Sequence, residues 1–147
     1  MEITFKQVHT AKDLTISAII ILAGSGLCFF NVALGVTGIV FGVLSLLFYK
    51  TGYRLSGGDG PVLSKKAFDV ARTCRQSIFD YLSGKDVDPQ LTAPGTGGVV
   101  RIEVFYNEAE GLAYARLYDF SNYMYEEATD MVELRSPKAD SLISKLV

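Results

Sequence analysis

The 147-residue sequence has no tryptophan, one histidine, two cysteines and four prolines. It also has no strong charge of one sign, with 14 Lys and Arg against 16 Asp and Glu. Each shortage excludes a class of protein. Two cysteines, Cys28 and Cys74, cannot build the disulfide framework of a small secreted domain, so a reduced compartment is expected. One His and two Cys cannot complete a four-ligand zinc site when Cys28 lies in an apolar run. His9 stands alone before that run, far in sequence from any nucleophile it could activate, and reads as a local structural residue. A net charge of -2 gives no global basic excess, so no nucleic-acid partner is expected.

The sharpest absence is local. From Leu14 to Tyr49 no side chain carries a charge. As one helix this stretch would be about 54 Å long, against a hydrocarbon core of about 30 Å, so it has to fold back. Asn31 to Gly35 supplies the turn, which leaves two arms, Leu14 to Phe30 and Leu34 to Tyr49, each roughly 25 Å long. The sequence therefore predicts a membrane helical hairpin of two short transmembrane helices. Lys6 and Lys12 precede the first arm and Lys50 and Arg54 follow the second, while the turn has no cation, which places both termini in the cytoplasm. The implied location is the cell membrane, multi-pass. Small residues mark the packing surface: Gly38 and Gly42 lie one turn apart on the second arm, with Gly24 and Gly26 as their counterpart on the first. No ionisable group lies inside the hairpin, which removes the usual marks of an ion pathway.

Beyond the run, the expected order is a linker over 50–61 and a cytoplasmic α+β domain over 62–147, with 1–13 as a cytoplasmic N-terminal segment and 14–49 as the hairpin. Ser56 to Pro61 is rich in glycine and breaks helices. Leu63, Ala67, Val70, Ala71, Cys74, Ile78, Tyr81 and Leu82 recur at steps of three and four and predict a helix that ends at Gly84. Residues 86–98 read as an irregular loop. Val100, Ile102, Val104 and Tyr106 alternate with Arg101, Glu103 and Phe105, and Leu112 to Asp119 repeats that period across a glycine-containing turn, so a β-hairpin follows. Tyr123 to Leu134 fits a helix or a strand, and its aromatic residues favour a third strand. Ser136-Pro137 opens a last helix. The domain reads α-β-β-β-α.

No motif names a reaction. The glycines before Lys65 and Lys66 lack the spacing of a phosphate-binding loop and read as a linker. Asp86, Asp88, Gln90 and Thr92 begin like a calcium loop, but Leu91 and Gly97 stand where its glycine and glutamate belong. Glu126, Glu127, Asp130 and Glu133 have no partner base and read as a charged outer face. No catalytic residue, metal or cofactor is expected. Lys50, Arg54, Lys65, Lys66, Arg72 and Arg75 are expected to hold the soluble helix near anionic headgroups. The reading that follows is a non-enzymatic two-pass membrane protein whose cytoplasmic domain is a protein-interaction or self-assembly module at the membrane surface. Its expected partners are the lipid bilayer and an unknown protein or further copies of the chain. The alternative is a membrane-perturbing effector of the holin or toxin kind.

Overall fold

The computed structural model describes residues 2–146. The chain divides into two units, one spanning Phe5–Val62 and the other combining Met1–Thr4 with Leu63–Val147.

The first unit encloses a helical hairpin between two short strands. Strand β1 (Phe5–Val8) leads into α1 (Ala11–Leu27), α2 (Val32–Phe48) and then β2 (Gly52–Leu55). β1 and β2 pair antiparallel, from Phe5 opposite Leu55 to Val8 opposite Gly52. Helix α1 starts at a reciprocal cap: the Thr10 side chain accepts from the Asp13 amide, and the Asp13 carboxylate accepts from the Thr10 amide. Such a box satisfies two of the orphan donors at a helix start. The helix ends in a turn at Cys28 to Phe30, after which the Asn31 side chain accepts from the Leu34 amide and opens α2. Asp13 is 1% exposed and also accepts from the Thr51 amide at 2.8 Å and the Thr51 hydroxyl at 2.7 Å. One carboxylate thus ties the start of α1 to the chain leaving α2.

These boundaries correct the membrane reading. Among the described residues no helix is long and apolar enough to cross a membrane. The physical reason is length. Each helix has 17 residues, about 25 Å of rise, short of the roughly 30 Å hydrocarbon core. In α1 the first turn is spent on Ala11, Lys12 and Asp13, which shortens its apolar part further. Two transmembrane helices, a two-pass protein, a multi-pass location with both termini cytoplasmic, and an effector acting through spanning helices are all overturned by this finding. What remains is a helical hairpin.

The second unit is an α+β structure. Its strands are β3 (Ser64–Ala71), β4 (Val99–Asn107), β5 (Leu112–Ser121), β6 (Met124–Glu127) and β7 (Val132–Arg135), with α3 (Arg75–Leu82) after a 3-10 turn and α4 (Lys138–Leu146) at the end. All pairings are antiparallel: β3 beside β4, β4 beside β5, and the far edge of β5 shared between β6 and β7. The expected α-β-β-β-α order is corrected here to β-α-β-β-β-β-α. Residues 64–71, read as the first half of a helix, form a strand, and the single strand expected over 123–134 is two short ones.

Alternation sorts the sheet into two faces. Val100, Ile102 and Val104 of β4, with Ala113, Ala115 and Leu117 of β5, turn to one side and are buried with Ile78 of α3 and Leu142 of α4. The Tyr81 hydroxyl donates to the Lys138 carbonyl and joins the two helices. The opposite side carries Arg101, Glu103, Arg116 and Tyr118, with Glu103 directly opposite Arg116 and Arg101 opposite Tyr118.

Candidate interaction surface

The hairpin is held by backbones in close approach. A Cβ on Gly24 would lie 2.7 Å from the Ile39 nitrogen and 2.9 Å from the Gly35 oxygen, so no side chain fits there. Gly38 sits against the Gly24 Cα, and Gly42 against Ile21, whose side chain a Cβ would meet at 2.5 Å. Gly35 closes the seam against Cys28, where a Cβ would fall 2.4 Å from the sulfur. Nothing lies within 4 Å of such an atom on Gly26. The structure therefore brings Gly24, Gly38 and Gly42 together within one chain and leaves Gly26 outside. It adds Gly35, which the sequence reading had assigned to the turn. The hydroxyls of Ser17 and Ser45 meet at 2.9 Å between the helices and satisfy each other in an otherwise apolar seam.

Because glycine and serine fill the seam, the large apolar side chains point away from it. Leu22, Val32, Leu34, Phe41 and Phe48 are exposed, and Phe29 and Phe30 at the turn are each 90% exposed. Most of the exposed large apolar residues of the chain belong to this hairpin. A helix apolar on every side is ordinarily buried in something larger, and contiguous apolar surface of this kind marks a binding surface.

The face of the sheet away from α3 and α4 carries a polar network centred on Glu103, which is itself buried. The Glu103 carboxylate receives Lys65 at 2.8 Å, Arg116 at 3.0 Å and the Tyr118 hydroxyl at 2.9 Å. Arg116 also reaches Glu127 at 2.6 Å, and Arg101 grips Asp69 through two nitrogens. Burial pushes the Glu103 carboxyl up, but the hydrogen bonds from Lys65, Arg116 and Tyr118 outweigh it and hold it below the usual carboxylate range. Burial, and then the bond to Glu103, push the Tyr118 phenol up to about 12. Both shifts run away from neutrality, so Glu103 stays ionised and Tyr118 stays protonated across ordinary pH. A general acid or base needs the reverse, a group drawn toward the working pH. The face is built as an electrostatic brace.

The six cations expected at a membrane surface fall on different elements. Lys65 pairs with Glu103, while Lys66, the next residue on the strand, points to the other side and donates to the Leu146 carbonyl. Arg75 makes two bonds to Asp119, at 2.7 and 2.9 Å. Arg72 lies in the 3-10 turn beside Gly98. Lys50 follows α2, and Arg54 in β2 lies directly opposite Lys6. The four that were assigned to one helix start fall instead on a strand, a turn and the first residue of α3.

The acidic residues over 126–133 do not gather either. Glu127 is taken by Arg116 and Glu133 by Arg135. Among the described residues no group of three or more His, Cys, Asp or Glu is arranged to hold a metal ion. The His9 ring donates from Nδ1 to the Tyr49 carbonyl at 3.0 Å, which caps the end of α2; a carbonyl can only accept, so Nδ1 carries the proton. Sequence reasoning missed Asp13, whose signal was the Thr10-x-x-Asp13 spacing of a capping box before an apolar run. Comparison with protein-family models, curated proteins and solved structures finds no significant match.

Proposed function

We propose that the protein is a non-enzymatic self-assembly module in which copies of the chain associate through the apolar outer surface of the α1–α2 hairpin. The observation that carries this reading is the outward display of large apolar side chains by a hairpin whose own seam is filled by glycine and serine. Apolar area removed from water contributes about 25 cal/mol per Å², so such a surface favours whatever covers it. A second copy is the occupant this surface selects best. With no charged group between Leu14 and Tyr49 it has no electrostatic means of choosing a different partner, and another copy offers the same apolar surface at the same concentration.

Sedimentation of the full chain over a hundredfold range of concentration tests this. Concentration-dependent oligomers are expected, and the double variant Leu22→Glu, Phe41→Glu should shift them to monomer. A wild-type chain that stays monomeric and instead sediments with neutral phosphatidylcholine vesicles would show lipid as the occupant and overturn the proposal.

A further inference from the structure

Strand β6 ends the strand order β3-β4-β5-β6, with β5 on one side and no strand on the other. The Ala128 amide, next along the chain, turns inward to the Leu117 carbonyl at 2.8 Å. Backbone groups of alternate residues in an antiparallel strand point to opposite sides. Those of Glu126 and Met124 therefore also face β5, and those of Glu127 and Tyr125 face outward. The hairpin agrees, since a two-residue turn makes Ser121 and Met124 a hydrogen-bonded pair. Among the described residues the outward amides and carbonyls of Tyr125 and Glu127 make no hydrogen bond.

A groove lies beside this edge, on the side of α3. Past Glu127, residues 128–131 stand opposite only Arg116 and Leu117 before β7 resumes the pairing, and such a bulge bends a strand away from its neighbour. Between the bulge and α3 is a cavity of about 460 Å³, whose lining combines Phe79, Leu82, Ala128 and Val132 with Glu127 and Asp130. Leu82 is buried and Ala128 and Val132 pack against the core, whereas Phe79 is 36% exposed. Glu127 holds Arg116. Asp130 makes no hydrogen bond or ion pair among the described residues, and no lysine or arginine lines the cavity. Glu2 and Ile3 line a separate hollow with Arg116, on the face away from α3.

We infer that this edge and groove dock a basic, extended segment of a protein partner, which adds a strand to β6 and lays a lysine or arginine over Phe79 toward Asp130. Strand addition takes affinity from main-chain bonds and specificity from the side chains that fall in the adjoining groove. Alternate residues of the added strand point to the α3 side. That side also holds Glu126, which lies opposite Asp119, itself bound by Arg75 of α3. A cation placed there meets the carboxylates of Glu126 and Asp130, and its aliphatic stem covers the exposed ring. From Glu126 to Glu133 the chain has four carboxylates and no cation, so an acidic segment is repelled. A second copy fits this edge poorly. The register that uses both outward residues of each β6 pairs Tyr125 with Glu127 and sets Glu126 against Glu126, and like charges directly opposite are destabilising. The contact is separate from the hairpin surface and rests on none of its residues.

The test uses the full chain in dodecyl maltoside, which covers the apolar hairpin, and a fluorescein-labelled, end-capped peptide of sequence Val-Arg-Val-Arg-Val. Saturable binding is expected by anisotropy, with slower hydrogen exchange at the amides of Tyr125 and Glu127. Replacing both arginines with citrulline keeps their shape, removes their charge and should weaken binding at least tenfold. Asp130→Asn should weaken it at least threefold, while Glu108→Gln, on the β4–β5 turn, removes the same charge elsewhere and should leave the dissociation constant unchanged. The inference is overturned by an absence of saturation at millimolar peptide, by equal losses in the Asp130 and Glu108 variants, or by unchanged exchange at Tyr125 and Glu127. Arginine amide binding as tightly as the peptide would make a small cation the occupant and overturn it too. Both variants replace exposed side chains and should keep the wild-type thermal transition; if Asp130→Asn does not, the citrulline and exchange comparisons decide. The hairpin proposal fails separately, through the Leu22 and Phe41 variants measured without detergent.

Discussion

Asp13 shows how much one side chain can organise. Burial pushes its carboxyl up, but the backbone and side-chain hydrogen bonds from Thr10 and Thr51 outweigh this and bring it down to about 2. A depressed carboxylate contributes stability that is fully present above its unfolded pKa, near 3.8, and is lost as pH falls through the folded value. The hairpin should therefore weaken between about pH 4 and pH 2, by roughly 1–2 kcal/mol. Asp13→Asn should flatten that part of the acid titration followed by circular dichroism; a variant as acid-sensitive as wild type would assign the transition to other carboxylates. A second residue carries backbone strain. Asn122 and Tyr123 form the two-residue turn between β5 and β6 with φ of 50° and 62°, the left-handed pair that a tight hairpin turn demands. Asparagine tolerates that region; tyrosine does so at a cost. The Tyr123 side chain is 95% exposed and gives little packing in return. Tyr123→Gly should raise stability by up to about 1 kcal/mol, read as a higher melting temperature; a lower one would show that the ring makes contacts worth more than the strain.

At the scale of elements, the helices of the hairpin approach as closely as their glycines allow. Gly24→Ala and Gly42→Ala each place a Cβ under 3.0 Å from an atom of the other helix, the first against backbone that cannot swing aside and the second against the Ile21 side chain. Each should cost about 1–3 kcal/mol, as overpacking does, with the larger loss at Gly24. Gly26→Ala has open space and should be neutral or slightly stabilising through helix propensity. Thermal melts of the three variants would check the order, and equal losses at all three would mean that propensity rather than the seam decides. The glycine spacing was legible because packing between apolar helices leaves few alternatives to small residues. Strand β3 was not, and the reason lies in its residues. Leu63, Val70, Cys74, Ile78, Tyr81 and Leu82 are all buried as a helical period requires, yet Leu63 lies just before β3 and Val70 on it, while the rest belong to a turn and α3. A period of three to four that bridges a strand and a helix cannot be told from one long helix. Lys65 and Lys66 were misplaced with it, and the Glu103 network went unseen because it joins β3, β4, β5 and β6 across distances in sequence that a pattern does not connect. Strands β1 and β2 escaped for the same reason: each is four residues long, and they pair across the whole hairpin.

The whole molecule joins two different solutions to burying apolar surface. In the sheet unit the sequence alternates, so Ile102 and Leu117 meet α3 and α4 on one side while ion pairs occupy the other. In the hairpin unit the sequence from Leu14 to Tyr49 carries no charge, glycine and serine set the closest approaches in the seam, and most of the larger apolar side chains remain exposed. Each unit's interior is built from its own residues: Leu142, fully buried, packs within the sheet unit's core, and the Ser17–Ser45 pair and the glycine seam lie within the hairpin. Stability should be partitioned in the same way, since regions with separate cores open as separate cooperative units. Leu142→Ala removes a buried side chain at a cost of about 2–5 kcal/mol. In native-state hydrogen exchange this loss should lower protection across β4, β5 and α4 and leave the amides of α1 and α2 as they were. Gly24→Ala should do the reverse. If either substitution lowered protection equally in both units, the chain would unfold as one body, and the acid transition assigned to Asp13 would then have to weaken the sheet along with the hairpin.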